Sequence, residues 1–268
     1  MTASTPVKRR PTRGRKLIIA GLVLVGLLVA ADFGLAAAGE YQVAQKMRAK
    51  FQLPDDPTVR INGFPFTYQA LAGDYRDIEI TATGVPVRDS LRDLEIRANL
   101  KHTRIGLSDL LSGNTRNARI DQVIGSVKIK ANDLNRLVNL VTPFTDMAIE
   151  PDTRPEATPT PAAAKPDPTK AAVKLSGTTK VAGRSIRIAA YGSVTLVGGQ
   201  VAVAVNDVEV DDTSLAGLNE VLGVVRSALS VTIDPGVLPF TVTPTAVRVE
   251  SGALTVEGTI NDIPLDEG

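Results

Sequence analysis

The sequence contains no cysteine and no tryptophan, and histidine occurs once, at position 102. The missing thiols exclude disulfides, cysteine nucleophiles, iron–sulfur clusters and cysteine-ligated zinc. A lone histidine cannot assemble a His-rich metal site, and alternation places it inward at a strand end, a structural position. Aromatic residues are scarce, with six Phe and four Tyr in 268 residues. A core must therefore be built from Val, Ile, Leu and Ala, and the chain is long enough to bury one without disulfides. Nucleotide-binding and hydrolase signatures are missing too: there is no P-loop, no dinucleotide fingerprint and no Gly-x-Ser-x-Gly elbow.

Net charge is +1, but the positive residues are segregated. Residues 1–38 hold six basic residues (Lys8, Arg9, Arg10, Arg13, Arg15, Lys16) against Asp32 alone. Subtracting them from 30 and 29 leaves 24 basic and 28 acidic residues, so the remainder carries about −4. That balance gives no electrostatic reason to bind nucleic acid. The basic front precedes an uncharged apolar run from Leu17 to Ala31, which Asp32 interrupts before Phe33–Ala38 continues it. Two readings stand. Ala36-Ala37-Ala38 offers a signal-peptidase site, so residues 1–38 are a signal peptide. Read through Asp32, the same segment is long enough to be a membrane anchor. In both, the basic residues stay cytoplasmic and the rest of the chain faces the periplasm or the outer face of the plasma membrane.

Gly39–Leu53 has helical spacing, with Tyr41, Ala44, Met47 and Phe51 on one face and Pro54 at its end. From Thr58 the period becomes two. Asp77–Gly84, Asp93–Lys101 and Asn117–Lys130 alternate apolar and polar residues, as do Ala172–Gly177, Arg184–Tyr191, Ser193–Leu196, Gln200–Val210, Ala246–Ser251 and Ala253–Ile260. These are expected antiparallel strands with one wet and one apolar face. Gly198-Gly199 reads as a hairpin turn. Three helices are expected between strands: Asp109–Leu111 capped by Ser108, one from Asn132 or Asp133 to Val141, and Ser214–Leu229 with Leu215, Leu218, Leu222, Val225 and Leu229 as its stripe. Residues 150–171 hold six prolines and read as a disordered or extended insert in a domain covering 39–268. Phe64-Pro65-Phe66-Thr67 and Leu238-Pro239-Phe240-Thr241 suggest a shared plan in the two halves.

Asp207, Glu209, Asp211 and Asp212 cluster before a predicted helix but lack the spacing and glycine of an EF-hand loop. They read as a polar strand face followed by acids that suit a helix dipole, with a weak cation site as the alternative. No catalytic residue, metal ligand or cofactor site emerges. The informative feature is the supply of aliphatic strand faces, which either pack shut or line a groove for acyl chains, where each buried methylene is worth about 0.8 kcal/mol. The residues expected to line it are Ile78, Ile80, Leu94, Ile96, Val203, Val205, Leu218, Leu222 and Val225.

Gly63-Phe64-Pro65-Phe66 with Gly73 and the strand Ile78–Thr83, together with Leu238-Pro239-Phe240 through Val247–Gly258, resembles the opening and closing motifs of the LmeA family of actinobacterial envelope proteins, the mannan chain length control family. The resemblance covers roughly Gly39 to Leu265, with the proline-rich stretch as a variable insert. It implies an α+β fold of the tubular lipid-binding type, in which a curved antiparallel sheet wraps one or two long helices, here Ser214–Leu229 or Gly39–Leu53, after the N-terminal apolar helix. It also implies a non-enzymatic role in elongating the mannan of lipomannan and lipoarabinomannan at the cell envelope. The implied partners are a phospholipid, phosphoinositides among them, or a glycolipid, with membrane mannosyltransferases and the membrane surface. An envelope scaffold and a glycan enzyme using an unrecognised carboxylate pair are the alternative readings.

Overall fold

The computed structural model describes residues 13–87, 91–114, 116, 118–133, 135, 144–154, 167–181, 184–211, 222–223, 226–227, 229–230, 232–233 and 243–264. One helix, α1 (Arg13–Phe51), runs unbroken through the apolar segment and the amphipathic stretch that follows it. No proline or turn signal separates the two parts, so helical hydrogen bonding continues across residue 38. Strand β1 (Thr58–Asn62) comes next and buries Val59 and Ile61 on one face. A short helix, α2 (Phe66–Ala72), then leads into β2 (Asp74–Val87) and β3 (Leu91–Arg104). Helix α3 (Leu107–Ser112) precedes β4 (Arg119–Lys130). The Ser108 cap is corrected: α3 starts at Leu107 with Gly106 as its N-cap, so Ser108 lies inside the helix. Gly106 already holds the extended backbone that an N-cap requires.

Strands β5 (Phe144–Pro151), β6 (Lys170–Val181), β7 (Arg184–Val197), β8 (Gln200–Val210) and the short β9 (Thr232–Ile233) follow, then β10 (Thr243–Glu250) and β11 (Ala253–Pro264). They divide into a six-stranded sheet, β1-β2-β3-β4-β11-β10, and a five-stranded sheet, β5-β6-β7-β8-β9. All pairings are antiparallel. The architecture is α+β, an N-terminal apolar helix followed by open, curved antiparallel sheet.

The buried apolar residues form two clusters. In the first, Val59, Ile61, Tyr75 and Ile78 pack against Ala44 of α1, Phe66 and Ala70 of α2, and Ile105. Ala36, Val43 and Met47 of α1 extend this contact. The segment Gly39–Leu53 thus belongs to the domain core. On the second sheet, Ile149, Val173, Leu175, Ile188, Val194 and Val205 form a cluster that also takes in Val247 of β10 and Leu254 of β11. Strands β10 and β11 of the first sheet therefore pack against the second sheet. Backbone bonds seal that junction, with Val247 N–H donating to Pro168 O at 2.8 Å and Gly252 N–H to Ile149 O at 2.7 Å.

Two predicted strands, Arg184–Tyr191 and Ser193–Leu196, are one strand. At Gly192 the pairing with β8 shifts from Asp207 to Val205, so Asn206 of β8 bulges while β7 runs on unbroken. A Cβ there would collide with the Ala204 carbonyl oxygen, so the backbones touch only because residue 192 has no side chain. Gly198 and Gly199 form the expected hairpin turn, with φ of +58° and +82° and Val197 paired to Gln200. Strand β5 runs to Pro151 and β6 begins at Lys170, so the proline-rich stretch connects two neighbouring strands. Its middle, residues 155–166, lies outside the described residues, as do Leu238–Thr241 and most of the segments expected as helices at 132–141 and 214–229.

Candidate functional site

Ile78 and Ile80 of β2 sit at the first core, Ile78 buried and Ile80 half-buried against it. Leu94 of β3 is fully buried, facing Val85. Ile96 is half-buried between Ala82 and Val127 of the flanking strands. Val203 and Val205 of β8 belong instead to the second core, Val205 buried at Gly192 and Val203 packed beside Val194. Leu222 is helical and half-buried. Leu218 and Val225 lie outside the described residues. The predicted lining is therefore shared between two apolar faces, with Ile78 and Ile80 on one and Val203 and Val205 on the other.

A cavity opens on the second face, lined by Met147, Leu175, Ser176, Gly177, Ile188 and Leu229. Its volume is about 10 Å³, room for roughly one water molecule. Small-molecule pockets run to about 300–1,000 Å³, so this cavity is closed to an acyl chain as it stands. Leu229 forms part of its wall and is buried, while its helical neighbours Arg226 and Ser227 are exposed. Leu229 belonged to the expected stripe of the 214–229 helix. Met147 was missed, because β5 does not alternate cleanly. Asp146 adopts a left-handed φ of 54°, and the pairing with β6 shifts between Thr145 and Ala148.

The charged groups on the outer face of the second sheet form a closed network. Arg154 Nε donates to both oxygens of Asp152 at 3.2 and 3.1 Å, and Nη2 donates to Asp152 Oδ2 at 3.0 Å. Nη1 reaches Asp207 Oδ2 at 3.1 Å, and the guanidinium carbon lies 3.4 Å from the centre of the Tyr191 ring. Tyr191 OH donates to Glu209, and Lys174 pairs with Glu150. Burial works against the Asp152 charge, but hydrogen bonds from Arg154 outweigh it and hold the carboxyl below its ordinary value. Burial and then the Glu209 contact push the Tyr191 phenol up. Asp207 and Glu209 are thus engaged by a cation and a phenol on the strand surface. Among the described residues, no group of three or more His, Asp or Glu is arranged to hold a metal ion.

His102 corrects an expectation. It was placed inward by alternation, but it is exposed, and its Nδ1 lies 3.4 Å from Asp74 Oδ1. A left-handed φ of 50° at His102 turns the strand phase, so Thr103 is buried in its place, opposite Tyr75.

The first core holds a further arrangement that alternation did not reveal. Asp32, on α1, is buried. Its oxygens accept hydrogen bonds from Phe66 N–H at 2.8 Å, Thr67 N–H at 2.8 Å and Thr67 Oγ1–H at 2.7 Å. Pro65, the N-cap of α2, provides no side-chain cap, and Asp32 fills that role from 34 residues upstream. About two turns further on, Glu40 Oε1 accepts from Ile61 N–H at 2.7 Å and secures β1.

The model of the LmeA-like phospholipid-binding family matches residues 30–259. The chain belongs to this family. The match spans both sheets and starts just upstream of Asp32, so the family unit includes the last part of the apolar helix. Membership agrees with the resemblance carried by Gly63–Phe66 and supports a lipid-binding role. No curated protein and no solved structure matches the chain.

Proposed function

We propose that this protein is a non-enzymatic phospholipid-binding protein of the cell envelope. It presents a phospholipid or glycolipid to membrane enzymes that elongate the mannan of lipomannan and lipoarabinomannan. The observation that carries the reading is the family match, which runs across both sheets rather than over one motif. The aliphatic second core supports it, since Val203, Val205 and Leu229 offer apolar surface suited to acyl chains. In this reading the cavity beside Leu229 is the closed state of the lipid site. Displacing the helical residues Leu222 and Leu229 opens it, and the apolar contacts given up are replaced by contacts with the lipid.

The test is to purify the full chain in mild detergent, extract it with organic solvent and identify bound lipid by mass spectrometry. A stoichiometric phospholipid or glycolipid is the expected result. No lipid in the extract and no uptake of labelled phospholipid from vesicles sinks the proposal. Leu222→Arg is the informative variant. It is expected to abolish uptake while circular dichroism stays unchanged, because Leu222 is only half-buried and an arginine head can reach solvent. The mannan role is checked by deleting the gene and sizing lipomannan, which is expected to shorten and to recover with the wild-type chain but not with Leu222→Arg.

A further inference from the structure

The N-terminal apolar segment has two fates open to it, removal or retention, and the fold bears on the choice. Cleavage after Ala38 would take away Asp32, whose carboxylate satisfies the buried Phe66 N–H and the Thr67 N–H. It would also remove Ala36, which packs on the first core, and Phe33, whose ring stacks 6.0 Å from Phe64. Ala36-Ala37-Ala38 lies within a continuous helix, and Gly39 is buried against the Phe66 ring. Asp32, Ala36, Gly39, Glu40, Val43, Ala44 and Met47 of α1 turn toward the domain, one helical stripe that crosses the cleavage point without a break. The family match likewise begins at residue 30.

Upstream of that stripe the helix is exposed and packs on nothing among the described residues. Leu17 to Leu28 are exposed on every side, and α1 is long and apolar enough to cross a membrane. Gly14 to Ala31 spans about 27 Å at the helical rise, against about 30 Å for the bilayer hydrocarbon. A helix inserted from Gly14 therefore brings Asp32 to the far edge of the hydrocarbon. An unpaired carboxylate at that depth is costly, and here it already has three donors. At the same level the domain shows bare apolar side chains. Phe33, Leu35 and Phe64 are exposed, and α2 turns Tyr68 outward at 63% and Leu71 at 89% exposure, whereas its Phe66, Gln69 and Ala70 are buried. Phe and Tyr at such a boundary suit the headgroup region, where one end of a ring is apolar and the other wet.

We infer that α1 is a retained membrane anchor fused into the domain core, and that the Asp32 clamp on α2 holds the patch Phe33, Phe64, Tyr68 and Leu71 in the outer-leaflet interface of the bilayer. The partner of this surface is the lipid bilayer itself, because the spanning part of α1 leads directly into it. The domain is fixed at a set height and orientation rather than suspended on a flexible stalk.

The first experiment is the intact mass of the full chain exported by a bacterial host and accessible to protease added to spheroplasts. A chain beginning at Met1 or Thr2 is expected; a chain beginning at Gly39 overturns the inference. The second uses the natural absence of tryptophan. Leu71→Trp, with Tyr68→Trp as a second reporter, is purified as the full chain and reconstituted in phosphatidylcholine–phosphatidylglycerol vesicles. A portion of the phosphatidylcholine is brominated at carbons 6 and 7. Fluorescence is expected to fall at least twofold more than for Val197→Trp, placed at the exposed β7–β8 turn of the other sheet. Quenching equal to that of Val197→Trp overturns the interfacial placement. These readouts are independent of cargo. If no lipid co-purifies but Leu71→Trp is quenched, the lipid-presentation reading fails and the anchored patch stands.

Discussion

Asp32 illustrates how one residue can look misplaced along the chain and be well placed in space. Its carboxylate is covered by protein and accepts three hydrogen bonds from the first turn of α2. Asp32→Ala leaves the Phe66 and Thr67 amides without their acceptor. The expected cost is about 1–3 kcal/mol, read from thermal melts of the full chain in detergent micelles. Asp32→Asn is expected to lie between, because one neutral oxygen replaces two charged ones. The Asp152–Arg154 pair makes a pH prediction. The folded state holds the Asp152 carboxyl below its ordinary value. Its contribution to stability is therefore fully present above the unfolded-state value and disappears as pH falls through the lower folded-state value. Asp152→Asn is expected to lose about 1–2 kcal/mol near neutral pH, a figure reduced because Arg154 is partly solvated. Melting curves of variant and wild type should converge in acid.

At the scale of elements, β7 depends on a single missing side chain. Gly192→Ala drives a methyl into the Ala204 carbonyl, a backbone group that can move only if the β7–β8 ladder moves with it. Overpacked positions cost about 1–3 kcal/mol where a side chain can yield, and this one is expected to exceed that range. Faster amide exchange at Val203 and Val205 than in β2–β3 would confirm that the damage is local to this pairing. Helix α1 poses a different problem. Its second half, past Gly39, is legible from the spacing of Ala44 and Met47, but its attachment to the first half is not. A helix period gives no boundary where no breaker occurs, and Ala36–Ala38 reads equally as cleavage site and as helix interior. Helix α2 escaped pattern reading because Phe66–Ala72 is two turns long, too short for a period to declare itself.

Over the whole molecule there are two apolar clusters, and β10 and β11 of the first sheet help to build the second of them. The proline-rich stretch joins two adjacent strands, and both its ends are secured. Asp152 and Arg154 hold the start, while Thr169 O accepts from Leu196 N–H and Pro168 O from Val247 N–H at the end. Replacing residues 155–166 by a short Gly-Ser turn is expected to change stability by less than about 1 kcal/mol, since loop-closure entropy varies slowly with length. Equilibrium unfolding of the shortened chain checks it. A larger loss would mean that the insert packs on the domain.

The sequence by itself determined the class of the molecule and most of its strands. The paired alternation of β2, β3, β4, β10 and β11 is a local property, because each strand has to bury one face whatever it packs against. The basic front, the apolar run after it and the absence of cysteine are equally local features. Only the tertiary structure decided which apolar faces share a core. Ile78 and Val205 carry the same kind of side chain in the same kind of strand, yet topology sends them to different sheets. It also decided that Asp32 faces Phe66 and Thr67. The physical reason is the same in both cases: a period along the chain says which side chains point together, but a hydrogen bond across 34 residues exists only once the chain has folded back on itself.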